Sequence, residues 1–307
     1  MFIFRPYISR EFPAWGRLYS AFIGGYHHDA WWYGQKKQWT RGKLHGYEML
    51  LDLGQWSNRN TYFLRRLYDL PTQLVLIATL RENDTFVDIG ANEGMISLLG
   101  SRLVGPAGKV IAFEPNPGPR SILQANVDRN RITNIAIMPF GLGEIDETRS
   151  LSVPKINSGE GSFGRSSYSP ELVDVLECDV RKGDNLLANQ LARLIKIDVE
   201  GFELYVLRGL DNLLAQQRPA IIMEMDASHL ARTDTAIESL VAFLQQRGYR
   251  AFLINLQKKG WKYSLKLTPA DITPDIAHDV LWMHAKNEIL DPVSAQKANP
   301  MARSPEH

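Results

Sequence analysis

The chain has 307 residues, 44% hydrophobic and 22% charged, a balance that excludes a disordered chain and supports one elaborated domain around a packed core. Its 35 Lys and Arg against 34 Asp and Glu leave a formal charge of +1, which excludes a global basic field for nucleic acid. The one cysteine, Cys178, excludes an intrachain disulfide and a cysteine-rich zinc site, and it fits a reducing, cytoplasmic setting.

Residues 1–80 read as a helical, aromatic-rich extension. Residues 1–70 hold five of the seven Trp and seven of the eleven Tyr, with ten Lys and Arg against five Asp and Glu, so neutrality is the sum of a basic segment and a −4 remainder. No run approaches the roughly 18 apolar residues of a membrane span, and the first residues lack the basic-then-apolar layout of a signal peptide. We read the segment as cover on a sheet, forming one wall of an acceptor pocket or a homodimer surface. Membrane contact through residues 1–70 is the alternative. His27, His28 and Asp29 resemble a ligand cluster in composition only, because adjacent side chains rarely share one metal, and no metal site is assigned.

From residue 81, short apolar runs alternate with helical patterns. Thr85–Ile89 reads as a buried strand, residues 90–94 as a turn, and residues 95–103 as a helix with apolar positions at 95, 96, 98, 99 and 103. Lys109–Phe113 is a second strand stopped by proline, residues 120–130 a helix and Ile135–Met138 a third strand. Residues 144–182 interrupt the pattern with a small strand at 149–153 and a Gly/Ser-rich stretch at 157–169, read as an excursion at the ligand edge. Residues 194–199 are a fourth strand, 203–214 one helix, 219–225 a fifth strand and 236–246 a helix. Closing strands follow at 251–255 and 280–284. Residues 288–307, with three prolines, read as a disordered tail. Short apolar strands each followed by an amphipathic helix predict an α/β fold over residues 81–287: a Rossmann-like, mostly parallel sheet with an antiparallel closing strand, binding its ligand at the strands' carboxyl ends.

The turn after the first strand is Asp88-Ile-Gly90-Ala91-Asn92-Glu93-Gly94. Glycine at 90 and 94 removes side chains where the backbone must bend and approach a ligand. Glu114, twenty residues beyond Gly94 and at the end of the second strand, can accept hydrogen bonds from both hydroxyls of a ribose. A dinucleotide loop presents free N–H groups to a pyrophosphate, whereas this one is flanked by the carboxylates Asp88 and Glu93 and lacks a third glycine. That favours S-adenosylmethionine, which carries no phosphate. An NAD-dependent oxidoreductase, and a non-catalytic membrane- or glycan-associated module built on the aromatic N-terminus, are the competing readings.

Three motifs together, Asp88-Ile-Gly-Ala-Asn-x-Gly, Phe113-Glu-Pro-Asn-Pro and Ile195-Lys-Ile-Asp-Val-Glu-Gly-Phe-Glu with Leu207-Arg-Gly, resemble the FkbM family of S-adenosylmethionine-dependent methyltransferases over roughly residues 80–285. The resemblance implies a class I methyltransferase fold and O-methylation of a hydroxyl on a sugar, glycan or secondary metabolite, with a small-molecule, sugar or glycan partner and no nucleic acid. It makes Asp88, Gly90, Asn92, Gly94 and Glu114 cofactor residues, with Ala91, Pro115 and Asn116 in the same two stretches, and sets Asp198 on the methyl-transfer side. Lys182-Gly-Asp184 departs from the family's more usual Thr-Leu-Asp, and the segment before residue 70 matches no substrate signature, so no acceptor is carried over.

Methyl transfer from a sulfonium is an in-line displacement that must align the acceptor and take a proton from its hydroxyl. Asp198, Glu200 and Glu224, at the ends of the fourth and fifth strands, are the candidate catalytic residues, the first two on one face. Glu200 reads equally well as stabilising the helix that follows it. His229 reads more readily as a surface residue or cap than as the base, and Lys196 as the partner of a neighbouring carboxylate.

Overall fold

The computed structural model describes residues 2–24, 28–155, 158–259, 262–275 and 277–286; the tail expected over 288–307 and the pair His27 and Asp29, as a ligand set, lie outside what can be described. Three short helices open the chain, α1 (Arg5–Ser9), α2 (Trp15–Tyr19) and α3 (Asp29–Trp32). A hairpin of β1 (Gln38–Arg41) and β2 (Glu48–Leu51) follows, then α4 (Trp56–Leu64) and α5 (Leu70–Thr79). Asp69 caps α5 by accepting from the Thr72 amide, and Pro71 sits in its first turn, where a missing N–H costs nothing.

The alternating region supplies β3 (Thr85–Ile89), α6 (Met95–Val104), β4 (Lys109–Phe113), α7 (Pro117–Arg129) and β5 (Ile135–Met138). Next come β6 (Gly141–Gly143), β7 (Glu147–Pro154), β8 (Val173–Lys182), α8 (Gly183–Leu187), β9 (Ala192–Ile197), α9 (Glu203–Gly209) and α10 (Asp211–Gln217). The chain closes with β10 (Ala220–Asp226), α11 (Ala227–Leu230), α12 (Ile237–Gln246), β11 (Tyr249–Lys259), β12 (Lys262–Pro269) and β13 (Ala277–His284). The main sheet has the order β12-β11-β13-β10-β9-β3-β4-β5. Strands β10, β9, β3, β4 and β5 are mutually parallel, and β13 runs antiparallel between β10 and β11. This is the class I methyltransferase arrangement. The chain leaves β3 toward β4 and β5 on one side and returns to β9 and β10 on the other, so the order reverses between β3 and β9, where a crevice opens at the carboxyl ends.

Alternation along each strand fills both faces. Val87, Ile111, Ile195 and Ile221 belong to one buried cluster, and their neighbours Phe86, Val110, Leu194 and Ile222 to another. Each such side chain removed from water contributes about 1.5–3 kcal/mol, and none of these eight is more than 2% exposed.

The structure departs from the sequence reading in several places, among them an unforeseen edge strand, β12, paired antiparallel to β11. Residues 144–182 are not simply an excursion, because β7 and β8 pair antiparallel and β6 adds parallel to β8 as a second, three-stranded sheet. The helix expected over 203–214 breaks at Leu210 into α9 and α10. The first 80 residues contain the β1–β2 hairpin as well as helices.

That hairpin is seated by Asn126 of α7 and by Asn130, which caps the helix's C-terminus. Asn130 Oδ1 accepts from the Glu48 amide at 2.7 Å and Asn126 Oδ1 from the Leu50 amide at 2.8 Å, so side chains one helical turn apart satisfy alternate N–H groups along β2 as a further strand would. Asn126 Nδ2 donates in turn to the carbonyl of Glu93 at 3.0 Å, joining the N-terminal cover to the loop after β3. The cover's apolar side, with Ile8, Trp32, Leu51 and Phe63, packs on Met95 and Leu98 of α6. Among the described residues, no helix is long and apolar enough to cross a membrane. Asn126 is fully buried, and Asn126→Ala strands at least two buried backbone groups at about 1–3 kcal/mol each. Urea denaturation is expected to show a loss of about 2–4 kcal/mol; a loss below about 0.5 kcal/mol would remove Asn126 as the seat of the cover.

Candidate functional site

The turn between β3 and α6 is shaped by its backbone. Gly90 has φ of +78°, and a Cβ there would run into the carbonyl oxygen of Asp198 at the end of β9. The glycine therefore lets the loop after β3 and the loop after β9 close on each other at the reversal point. Phe113 O, at the end of β4, accepts from both the Gly90 and Ala91 amides at 3.0 Å, and the Gly94 amide returns to Ala91 O at 2.9 Å. Asn92, itself left-handed at φ +52°, donates its amide to Glu114 Oε2 at 2.7 Å.

Glu114 binds two loops at once. Its other oxygen accepts from the Asn116 amide at 2.8 Å, and the Asn116 side chain caps α7 through the Gly118 amide. Burial pushes the Glu114 carboxyl up to about 7, against the two amide hydrogen bonds that favour its charged form. Each oxygen retains acceptor capacity, and the side chain lines the cleft beside Pro115 and Asn116.

These contacts decide what the loop can hold. The amides of Gly90, Ala91, Asn92 and Gly94 are all spent within the protein, so none of them is left to cradle a phosphate as a dinucleotide loop does. The carboxylates flanking the loop act differently from the sequence expectation. Asp88 is fully buried beneath it, accepts from Ser97 Oγ of α6 at 2.5 Å, and is raised by burial against the attraction of Lys196. It faces the sheet and helix rather than the cleft. Glu93 does line the cleft, but burial pushes it up to about 7. The donor set fits a nucleoside cofactor without phosphate: a carboxylate for ribose hydroxyls beside a close-packed glycine turn.

The cleft, of about 990 Å³, is lined by Glu114, by the carboxyl ends of β9 and β10 and by the amino end of the antiparallel β13. Asp198 Oδ2 pairs with Lys196 Nζ at 2.9 Å. Burial acts to lower the Lys196 amine, but Asp198, Asp88 and Asp279 together hold it above its ordinary value. Glu200, Glu224 and His229 meet at one point: His229 Nδ1 lies 3.2 Å from Glu200 Oε2 and 3.1 Å from Glu224 Oε2. Glu200 Oε2 also accepts from Arg232 Nη1 at 3.2 Å. Burial raises both carboxyls, and repulsion by Asp198 adds to it. Glu200 holds φ +54°, and its carbonyl accepts from Ser162 Oγ at 2.6 Å, so the Gly/Ser-rich stretch reaches the site.

The structure thus brings Asp198, Glu200 and Glu224 into the lining of one cleft with Gly90, Ala91, Asn92, Glu114, Pro115 and Asn116. Gly94 stands back from the cleft and lies against Leu123 of α7. Sequence reasoning gave the cover as one wall of an acceptor pocket or a homodimer surface but named none of the residues that line the cleft. Trp56 and Tyr68 line the cleft with their rings 5.0 Å apart, and Asp69 and Pro71 adjoin them. Burial, then Asp198, pushes the Tyr68 phenol up to about 12. It also missed Asp279, whose carboxyl is raised by burial and accepts from Thr72 Oγ1. The aromatic enrichment before residue 70 was the available signal for the first; nothing in the local sequence marks the second.

Residues 88–251 match the family model described as the methyltransferase FkbM domain. The chain is 30% identical over 156 residues to the hexuronic acid methyltransferase AglP of Haloferax volcanii, covering 50% of this chain and 60% of that one. It is 26% identical over 169 residues to methyltransferase 1 of Beauveria bassiana, covering 49% and 65%. It is 27% identical over 198 residues to the 31-O-demethyl-FK506 methyltransferase FkbM of Streptomyces tacrolimicus, covering 55% and 74%. The matches thus span just under two thirds of the first two relatives. A crystal structure of methyltransferase FkbM from Methylobacillus flagellatus is similar at TM-score 0.40 and 18% identity, over 88% of this chain and 60% of that one. The matched segment begins at the glycine turn, takes in Glu114 and the β9 loop, and exceeds half of the sequence: the chain belongs to the FkbM-domain methyltransferases, whose cofactor is S-adenosylmethionine.

Proposed function

We propose that this chain transfers a methyl group from S-adenosylmethionine to a hydroxyl oxygen on a sugar, glycan or secondary metabolite. One observation carries the reading: the turn closed by Glu114 and the carboxylates Asp198, Glu200 and Glu224 line a single cleft, with Gly90 of the turn packed against the Asp198 carbonyl. Two relatives act on compounds of this kind by name, a hexuronic acid and 31-O-demethyl-FK506.

The cofactor supplies a methyl group already activated on a sulfonium. Glu114 would hold the cofactor by accepting hydrogen bonds from its ribose hydroxyls, beside the tight turn around Gly90. Asp198, held by Lys196, would accept a hydrogen bond from the acceptor's O–H and so orient the oxygen. The proton released as the new C–O bond forms passes to a carboxylate of this group. Trp56 and Tyr68 offer flat apolar faces to a ring-shaped acceptor, and with Phe163 they help exclude water.

Charge-assisted hydrogen bonds contribute about 1.5–3 kcal/mol each, so Glu114→Gln should weaken S-adenosylmethionine binding by about 2–4 kcal/mol, roughly 30- to 1,000-fold. Calorimetry showing unchanged affinity would remove the ribose assignment. Because the ionised carboxylate is the better acceptor and its pKa lies at about 7 before ligand binds, wild-type affinity should fall as pH drops below 7 and level off above it. The Glu114→Gln profile should be flat through that window; identical profiles would assign the titration elsewhere. Asp198→Asn should abolish single-turnover transfer while leaving cofactor affinity within about threefold, and persisting turnover would make Asp198 structural.

A further inference from the structure

We propose that Glu200, Glu224 and His229 form a binding site for one divalent cation of the magnesium or manganese class, at the acceptor end of the cleft. Three donors of the right kind converge there, two carboxylate oxygens and one imidazole nitrogen, all within 4.8 Å of one another. Octahedral bonds of about 2.0–2.2 Å at right angles set neighbouring ligand atoms about 2.8–3.1 Å apart. His229 Nδ1 stands 3.2 Å from Glu200 Oε2 and 3.1 Å from Glu224 Oε2, close to two edges of such an octahedron.

The placement of the three is asymmetric. Glu200 and Glu224 line the cleft and His229 lies behind them, so a cation held by these ligands keeps its open positions toward the space where the acceptor enters. The fold also makes a specific accommodation there. Gly201, at φ +103°, lies where a Cβ would collide with the carbonyl of His229, so the β9 loop reaches the turn after β10 only because residue 201 has no side chain. Thr233 Oγ1 secures that contact by donating to Gly201 O at 2.7 Å. Arg232 Nη1 donates to Glu200 Oε2 and remains as its charge partner.

In the protein as it stands, His229 Nδ1 lies within hydrogen-bond distance of Glu224 Oε2, a contact that a bound cation would replace. The use of the site rests on the hydroxyl-methylation reading, although the binding does not: an acceptor oxygen on the open side would have its proton acidified, and with Glu200 and Glu224 engaged as ligands, Asp198 is the carboxylate left to receive it.

The test uses the full chain, stripped with EDTA and titrated with Mn²⁺ while electron paramagnetic resonance follows the free ion. One saturable site per chain is expected. The near-isosteric Glu200→Gln and Glu224→Gln, and His229→Ala, should each weaken it by at least the roughly 10- to 100-fold that loss of even an outer partner of a ligand costs. S-adenosylhomocysteine affinity and thermal midpoint serve as controls for folding and should stay near wild type. No saturable Mn²⁺ binding up to millimolar concentration, or unchanged binding in the two glutamine variants, overturns the site. If Mn²⁺ binds as described and no hydroxyl is methylated, the site stands and the acceptor reading falls. If Mn²⁺ binds as described and a hydroxyl is methylated undiminished in EDTA, the acceptor reading stands and the cation's part in acidifying the hydroxyl is overturned.

Discussion

The site depends on one carboxylate held in place by backbone. Glu114 takes the amide of Asn92 on one oxygen and that of Asn116 on the other, and so fixes the loops after β3 and β4 to each other. A buried carboxyl in that position costs free energy, expressed as its shift to about 7, and the hydrogen bonds offset only part of it. Two hydroxyl donors from a ribose would complete its coordination and favour the charged form. The same geometry spends the amides of Gly90, Ala91, Asn92 and Gly94, so none of these four is left for a pyrophosphate.

The rest of the molecule keeps the lining of the cleft in register. The parallel strands β3, β4, β9 and β10 end at one edge, and the reversal between β3 and β9 leaves the space that Gly90 narrows. The cover adds the third wall and is attached through Asn126, which contacts both the hairpin and the carbonyl of Glu93. The near-zero net charge has a local meaning here. The basic, aromatic segment closes over a cleft that collects carboxylates, balanced within the structure by Lys196, Arg232 and His229.

Much of this was legible in the sequence because local pattern and chemistry coincide there. Thr85–Ile89, Lys109–Phe113 and Ile135–Met138 are strands with the bounds their apolar runs indicate, and Glu114 lies where a strand end must present it. The failures have different physical causes. Strand β8 alternates Leu176, Cys178 and Val180 with Glu177, Asp179 and Arg181, the period-two pattern of a half-buried strand, which a reading based on short, continuously apolar runs passes over; it pairs with β7 over eight residues. The flanking carboxylate Asp88 could be read as a charge near a ligand because sequence does not reveal that its side chain points to Ser97. His229, weighed as a cap, meets Glu200 and Glu224 only through a glycine contact between two loops distant in sequence.

The central claim is that the Glu114 carboxylate, bonded to Asn92 and Asn116, reads the nucleoside. The most direct measurement follows the backbone amide resonances of Asn92 and Asn116 by NMR as S-adenosylhomocysteine is added, and in a parallel sample as NAD⁺ is added. Both amides should shift together on adding S-adenosylhomocysteine, saturate with one dissociation constant, and stay unmoved by NAD⁺. A shift of either amide with NAD⁺, or none with S-adenosylhomocysteine despite binding detected elsewhere in the spectrum, would contradict the account.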